Sequence, residues 1–296
     1  MKLCKPLFEI WNQPAGLEGV YKQIEKVGRV CYKSEDKITE DSAKPFVDRM
    51  IKSGHGAMLE HGTVYLQYET AKSAINPLTK YYPNKYSKVK AKEGAIEETM
   101  RLFVTTNLRV LVENNWLKDL EYICEPTEFH EKRITVHFVC DRGVSHEFVR
   151  HRVMSFAQES TRYCNYSKDK FGNELTFIIP CWLDIPTGQY VYWDGDWCDV
   201  DKMKIQLPEG EHKDIDAFLW TLNNAETHYT LLINSGWKPQ EARAVLPNSL
   251  KTELVMTGFV SDWKHFFELR CDSAAHPQAR ELAIPLREEF VKRNYI

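Results

Sequence analysis

Apolar residues recur at helical spacing in LEGVYKQIEKVGRVCY (17–32), where Val20, Ile24 and Val27 fall on one stripe and predict a helix. EDSAKPFVDRMIKSG (40–54) reads as a second helix, stopped by Gly54. In HGTVYLQYE (61–69) the period drops to two: Val64, Leu66 and Tyr68 alternate with Thr63, Tyr65 and Gln67, as in a strand. KRITVHFVC (132–140) repeats the alternation, with Ile134, Val136 and Phe138 set against Thr135 and His137. From 70 to about 95 the pattern is lost and Lys, Tyr, Asn and Pro dominate. That stretch reads as an exposed loop leading into a helix over AIEETMRLFVTTNLRVLVEN (95–114), so 70–130 looks like an insertion.

Downstream, Ser145 has the chemistry of an N-cap for a short helix running into Arg150. Residues 180–213 hold Trp182, Trp193, Asp194, Asp196, Trp197 and Pro208 without a period and read as a long surface excursion. DAFLWTLNNAETHYTLLINSG (216–236) is an amphipathic helix ended by Gly236, and KPQEARAVLP (238–247) a short helix stopped by Pro247. SLKTELVMTG (249–258) reads as a strand, and two closing helices cover about 261–272 and 277–293. The sum is a mixed α+β chain.

Composition narrows the classes. The 296 residues are 43% hydrophobic, enough for a substantial core, and 27% charged. A net charge of −3 gives no global basic excess, which argues against a general nucleic-acid coat. No two of the eight cysteines lie close enough for a CxxC or zinc knuckle, so they read as small core residues in a reducing cytoplasm. The start, MKLCKPLFEIWNQ, has no apolar signal region, and no run is long enough to span a membrane.

Against this background RHRVMSFAQESTRY (150–163) stands out for its density of hydrogen-bonding groups. HEFVRH (146–151) does not make a helical metal pair: five residues on a helix leave His146 and His151 roughly 140° apart. His55 and His61 fail the same test, so no metal site is assigned. No GxSxG elbow surrounds Ser155 or Ser160, which weakens a serine hydrolase with His151. Salt bridges to Glu147 and Glu159 could account for one arginine, but Arg150, Arg152, Ser160 and Arg162 together fit an oxyanion site better. In a helix Arg150 and Arg152 would diverge by about 200°, which suits two anions, a substrate beside a phosphate-bearing cofactor.

The same stretch resembles the signature of the flavin-dependent thymidylate synthases, the ThyX family, written RHRxxSxNxxSxRY. Arg150, His151, Arg152, Ser155, Ser160, Arg162 and Tyr163 match, and Ala157 stands where Asn is usual. GHGAMLEH (54–61), NSGWKPQEARAVLP (234–247) and FFELRCDSAAHPQARELA (266–283) resemble the family's other segments in order, with 70–130 and 180–213 outside the resemblance. The resemblance implies a single domain over 1–296, with a central, mostly antiparallel sheet flanked by helices and an inserted helical segment. It implies reductive methylation of dUMP to dTMP with methylenetetrahydrofolate, FAD and NADPH, in a cytoplasmic homotetramer with shared active sites.

By matching position, Glu147, Arg150, Gln158, Glu159, Ser160, Thr161, Arg162 and Arg243 would meet dUMP. Arg270 would face the uracil ring as the catalytic group. His55, Glu60, Arg150, His151, Arg152 and Gln158 would contact FAD. The chain departs from the family at Ala57, Glu147, Ala157, Phe259, Ser261, His265 and His276, several of them near the flavin; Asn107 and Arg109 are candidates to take over those contacts. Two alternatives stay open: a related enzyme methylating uracil in another substrate such as RNA, and a nucleotide-binding regulator without catalysis.

Overall fold

The computed structural model describes residues 1–71, 76–93, 99–168, 172, 174–199, 203–205, 207 and 213–296. Its central sheet is antiparallel throughout and runs in the order β2-β6-β12-β7 (Leu7–Trp11, Arg133–Asp141, Lys251–Phe259, Ser155–Gln158). The pleat sends Val136, Phe138, Leu254 and Met256 to one face, into a core with Trp263, Phe266, Leu282 and Phe290. Those partners come from α9 (Val260–Arg270) and α10 (Pro277–Lys292), near the two predicted closing helices. On the opposite face Val255 and Ala157 pack under Val27, Val30 and Cys31 of α1 (Gly16–Tyr32).

The stripe read from 17–32 is the buried face of α1: Val20, Ile24 and Val27 are all at most 1% exposed. The helix ends where Lys33 turns left-handed and its N–H returns to the Val30 carbonyl at 3.2 Å. Helix α2 (Ala43–Lys52) crosses α1 at Gly28, where an added Cβ would stand 2.5 Å from the Phe46 ring. That close approach requires glycine.

The insertion departs from expectation. A second antiparallel sheet, β3-β5-β4 (Thr63–Ala71, Thr99–Asn107, Lys88–Glu93), takes its β4 and β5 strands from it. The predicted helix over 95–114 is strand β5 followed by the short α5 (Leu108–Glu113), while residues 95–98 lie outside the described residues. Every residue from Leu102 to Asn107 is buried, so both faces of the segment are covered, and β-branched Val104, Thr105 and Thr106 favour the strand. Asn107 is the cap of α5, accepting from the Val110 N–H at 3.1 Å. The predicted loop also holds a helix, α4 (Asn76–Tyr81), and strand β4; residues 72–75 and 94 lie outside the described residues.

Two further expectations are corrected. Asp141, not Ser145, caps α6 (Arg142–Phe148): its carboxylate accepts from the Val144 N–H at 2.8 Å. A strand leads straight into this helix, so the cap falls at the strand's last residue. The 180–213 excursion is not merely surface. Ile185, Tyr190 and Trp197 are buried against Leu219 and Leu222 of α7 (Lys213–Asn234), because aromatic residues without a period can still share one core. Strands β1 (Lys2–Cys4), β8 (Thr176–Ile178) and β9 (Gly188–Gln189) border that core, and β10 (Val191–Trp193) pairs with β11 (Asp196–Cys198) beside it; Pro208 lies outside the described residues. Short α8 (Pro239–Ala242) then leads back to β12.

Candidate active site

The signature stretch divides around β7. Arg150, His151 and Arg152 lie in the turn before the strand, and Ser160, Thr161 and Arg162 in the turn after it. Since α6 stops at Phe148, the two arginines are not opposed on a helix as the sequence implied; the turn brings both to one cleft. This cleft, of roughly 600 Å³, is lined by Arg150, His151, Arg152, Arg270, Lys88 and His265, with apolar Val153, Met154 and Leu269.

Within it, Arg270 is held on three sides. Nε donates to His151 Nε2 at 3.1 Å, Nη1 to Glu147 Oε2 at 2.8 Å, and Nη2 to the Glu147 carbonyl at 2.7 Å. His151 can accept because it is neutral: burial first, then the charges of Arg270 and His265, pull its pKa down to about 4. Its ring packs against Phe266, centroids 5.0 Å apart. Arg150 and Arg152 form no ion pair among the described residues; Arg150 Nε merely donates to the His146 carbonyl at 3.3 Å. The salt-bridge account therefore fails in its particulars, because Glu147 serves Arg270 and Glu159 serves Lys251.

Beyond β7, Arg162 is exposed and Arg243 reaches back to donate to Thr161 Oγ1 at 3.1 Å. Gln158 donates to Ser145 Oγ at 2.8 Å and Thr252 Oγ1 at 3.2 Å. Glu159 faces inward: at 2% exposure it accepts from Tyr166 at 2.8 Å and Lys251 at 3.0 Å. It secures the loop from beneath and does not line it. Lys251 also pairs with Glu253 at 2.5 Å, and Glu253 with His137 at 2.9 Å and Lys33 at 2.5 Å. Burial alone would raise the Glu253 pKa, but the His137 hydrogen bond and the two lysines outweigh it and hold the carboxylate well below its usual range.

His55 and Glu60 sit elsewhere, on α3 (Gly56–Leu59) and its flanks, with His55 exposed. Arg109 pairs with Glu60 and, at 2.7 Å, with Glu113, so its charge is already engaged. Arg133 ties this group to β7, donating to the Glu60 carbonyl at 2.9 Å and to Ser155 Oγ at 3.2 Å. Sequence reasoning missed Arg133, Lys251 and Lys88. Only KRITV, an arginine opening a buried strand, offered any local signal for the first; the other two stand out only by what lies near them in space.

Among solved structures the chain is similar to a UMP/dUMP methylase from Streptomyces cacaoi, 15% identical over 99% of this chain and 92% of that one, at a TM-score of 0.45. At that score the likeness decides nothing about the site. Among curated proteins it is similar to the flavin-dependent thymidylate synthases of Pyrococcus furiosus and Geobacter sulfurreducens. The first is 31% identical over 53% of this chain and 53% of that protein, the second 28% identical over 49% and 50%. The chain spans about half the length of these relatives. The family model described as "Thymidylate synthase complementing protein" matches residues 86–293. That match takes in the 150–163 signature, both later segments, the 180–213 excursion and most of the insertion, and begins after 54–61. Part of what the motifs left outside therefore lies inside, and the chain belongs to the thymidylate synthase complementing protein family.

Proposed function

We propose that the protein converts dUMP to dTMP by reductive methylation, taking the one-carbon unit from methylenetetrahydrofolate, with FAD as redox mediator and NADPH as reductant. The observation that carries this reading is the division of the signature's cations around β7. One set, Arg150, Arg152 and Arg270, lines a cleft before the strand; after it come Arg162, in the turn, and Arg243, which donates to the neighbouring Thr161. Four extended residues put about 13 Å between those turns. One chain's two sets therefore suit two half-sites, each completed by another copy, as in a homotetramer with shared active sites. Residues 1–296 act in this reading as one cytoplasmic unit.

The cleft fits a flavin nucleotide in chemistry: guanidinium groups of Arg150 and Arg152, without ion pairs among the described residues, for phosphate and an apolar wall for a ring system. FAD would supply the hydride chemistry, with Arg150, His151, Arg152 and Gln158 holding it and His55 and Glu60 contributed from α3. Glu147, Arg150 and Arg270 would contact dUMP from one side, and Ser160, Thr161, Arg162 and Arg243 from the other, with Gln158 and Glu159 fixing the loop. Three of the five guanidinium N–H groups of Arg270 are committed to Glu147 and His151. The remaining two are free to stabilise negative charge on the uracil ring as C5 becomes nucleophilic. Arg270 does this without gaining or losing a proton.

The test is spectroscopic and chemical. Purified protein should carry a flavin absorbance that NADPH bleaches, and should convert dUMP when methylenetetrahydrofolate is added. A colourless protein that binds dUMP without converting it would overturn the proposal in favour of a regulator. Conversion of uracil in an oligonucleotide but not in dUMP would overturn the choice of substrate.

A further inference from the structure

Lys88 reaches the cleft from outside the signature. It opens β4, an edge strand that among the described residues pairs only with β5, in the register Lys88↔Thr105. Lysines on an edge strand ordinarily keep it from pairing with another chain. Lys90 and Lys92, two and four residues on along the same strand, fit that role, and Lys92 stands 4.3 Å from the Phe129 ring centroid. Lys88 differs because it lines the cleft beside Arg150, Arg152 and Arg270. Its Nζ lies 5.6 Å from the ring centroid of Phe259.

No ion pair neutralises Lys88 among the described residues. The acid facing the same cleft is Asp262, and one of its carboxylate oxygens already accepts from the Phe259 N–H at 2.9 Å, capping α9. Three like charges, on Lys88, Arg150 and Arg152, are thus gathered in one cleft; Lys88 is near enough to Asp262 to help keep that carboxylate ionised, but none of the three forms an ion pair among the described residues. Such an arrangement is repulsive in the absence of an anion and becomes favourable when a ligand brings more than one negative charge.

We infer that Lys88 is a binding residue of the cleft, delivered by the second sheet to a phosphate of the flavin nucleotide. The inference rests on the proposed function, and gives strand β4 of the insertion a role there: it carries to the site a third cation without an ion pair among the described residues, the other two coming from the signature.

The experiment compares full-length wild type with Lys88→Ala, Lys88→Arg, Lys90→Ala and Arg152→Ala, titrating each with FAD and following flavin fluorescence at low and moderate salt. Lys88→Ala should bind FAD roughly tenfold more weakly and with a shallower salt dependence, the effect of losing one charge-assisted contact. Lys88→Arg should restore binding, Lys90→Ala should match wild type, and melting temperatures should stay together because Lys88 is exposed. Wild-type affinity in Lys88→Ala, with Arg152→Ala impaired, would overturn the inference and leave the functional reading standing. Equal weakening by Lys90→Ala would overturn it as well, since the effect would then belong to the edge strand at large. Absence of FAD binding by wild type would instead remove the functional reading on which the inference rests.

Discussion

Arg270 engages Glu147 twice, through the carboxylate at 2.8 Å and the main-chain carbonyl at 2.7 Å, so the end of α9 is fastened to the end of α6. A guanidinium held at both Nη atoms has little freedom to turn. Glu147→Ala keeps the carbonyl contact and loses the other. It should lower kcat for dUMP conversion roughly tenfold, as loss of one positioning contact does. The partly exposed pair adds only about 1 kcal/mol to stability. Glu147→Gln retains an acceptor for Nη1 and should stay within a few-fold of wild type. Equal kcat in the alanine variant and wild type would refute the positioning role.

Lys251 should matter more to folding than any arginine of the signature. It lies between Glu159 and Glu253, whose side chains are 1% and 12% exposed. Lys251→Ala leaves two buried carboxylates without it, a loss of about 3–5 kcal/mol. The melting temperature should fall on the order of 10 °C. A fall of only a degree or two would show that the network adds little.

Arg162 and Arg243 should behave in the opposite way. Both are exposed, so their alanine variants should melt with wild type. Each should nevertheless raise the dUMP requirement by roughly ten- to a hundredfold, the equivalent of one lost charge-assisted bond. A large loss of stability without a change in dUMP requirement would assign them to structure.

The division around β7 predicts complementation. At dUMP concentrations far below the requirement of Arg162→Ala, that variant and Arg270→Ala should each show little activity alone, yet regain part of it when the two chains are co-expressed, because some mixed sites combine two intact halves. If the mixture stays as inactive as its components, each site is built within one chain.

Acid should destabilise the protein before its carboxylates titrate. Burial, reinforced by Arg133, lowers the His61 pKa to about 3, and burial with Arg270 lowers that of His151 to about 4. Both folded values lie below the ordinary 6.5, so the unfolded chain takes up these protons first. Stability is therefore full above pH 6.5 and declines as pH falls toward 4, by up to about 1.4 kcal/mol per unit for each histidine. Melting curves at pH 7.5, 6 and 5 should show this, with a flatter slope in His61→Asn. An NMR titration placing either ring near 6.5 would contradict it.

Much of the fold was legible because its signals are local. The α1 stripe, the alternation in β3 and β6, and the glycine and proline stops around α7 and α8 each depend on neighbours a few residues apart. The signature stretch was equally plain, since seven of its residues hold fixed spacing. The reading failed where long-range burial overrode local pattern. TMRLFVTTN offers apolar residues to either period, and only coverage of both faces made it a strand.

The candidate site shows the same boundary. Residue types alone pointed to guanidinium groups for an anion, and the order of motifs pointed to a family. Whether those groups meet was beyond sequence. Arg270 joins Glu147 across 123 positions, and Lys251 joins Glu159 across 92. A side chain's charge is fixed by its chemistry, but whether that charge is spent on a neighbour or left for a ligand is decided only when the strands pair and the helices pack.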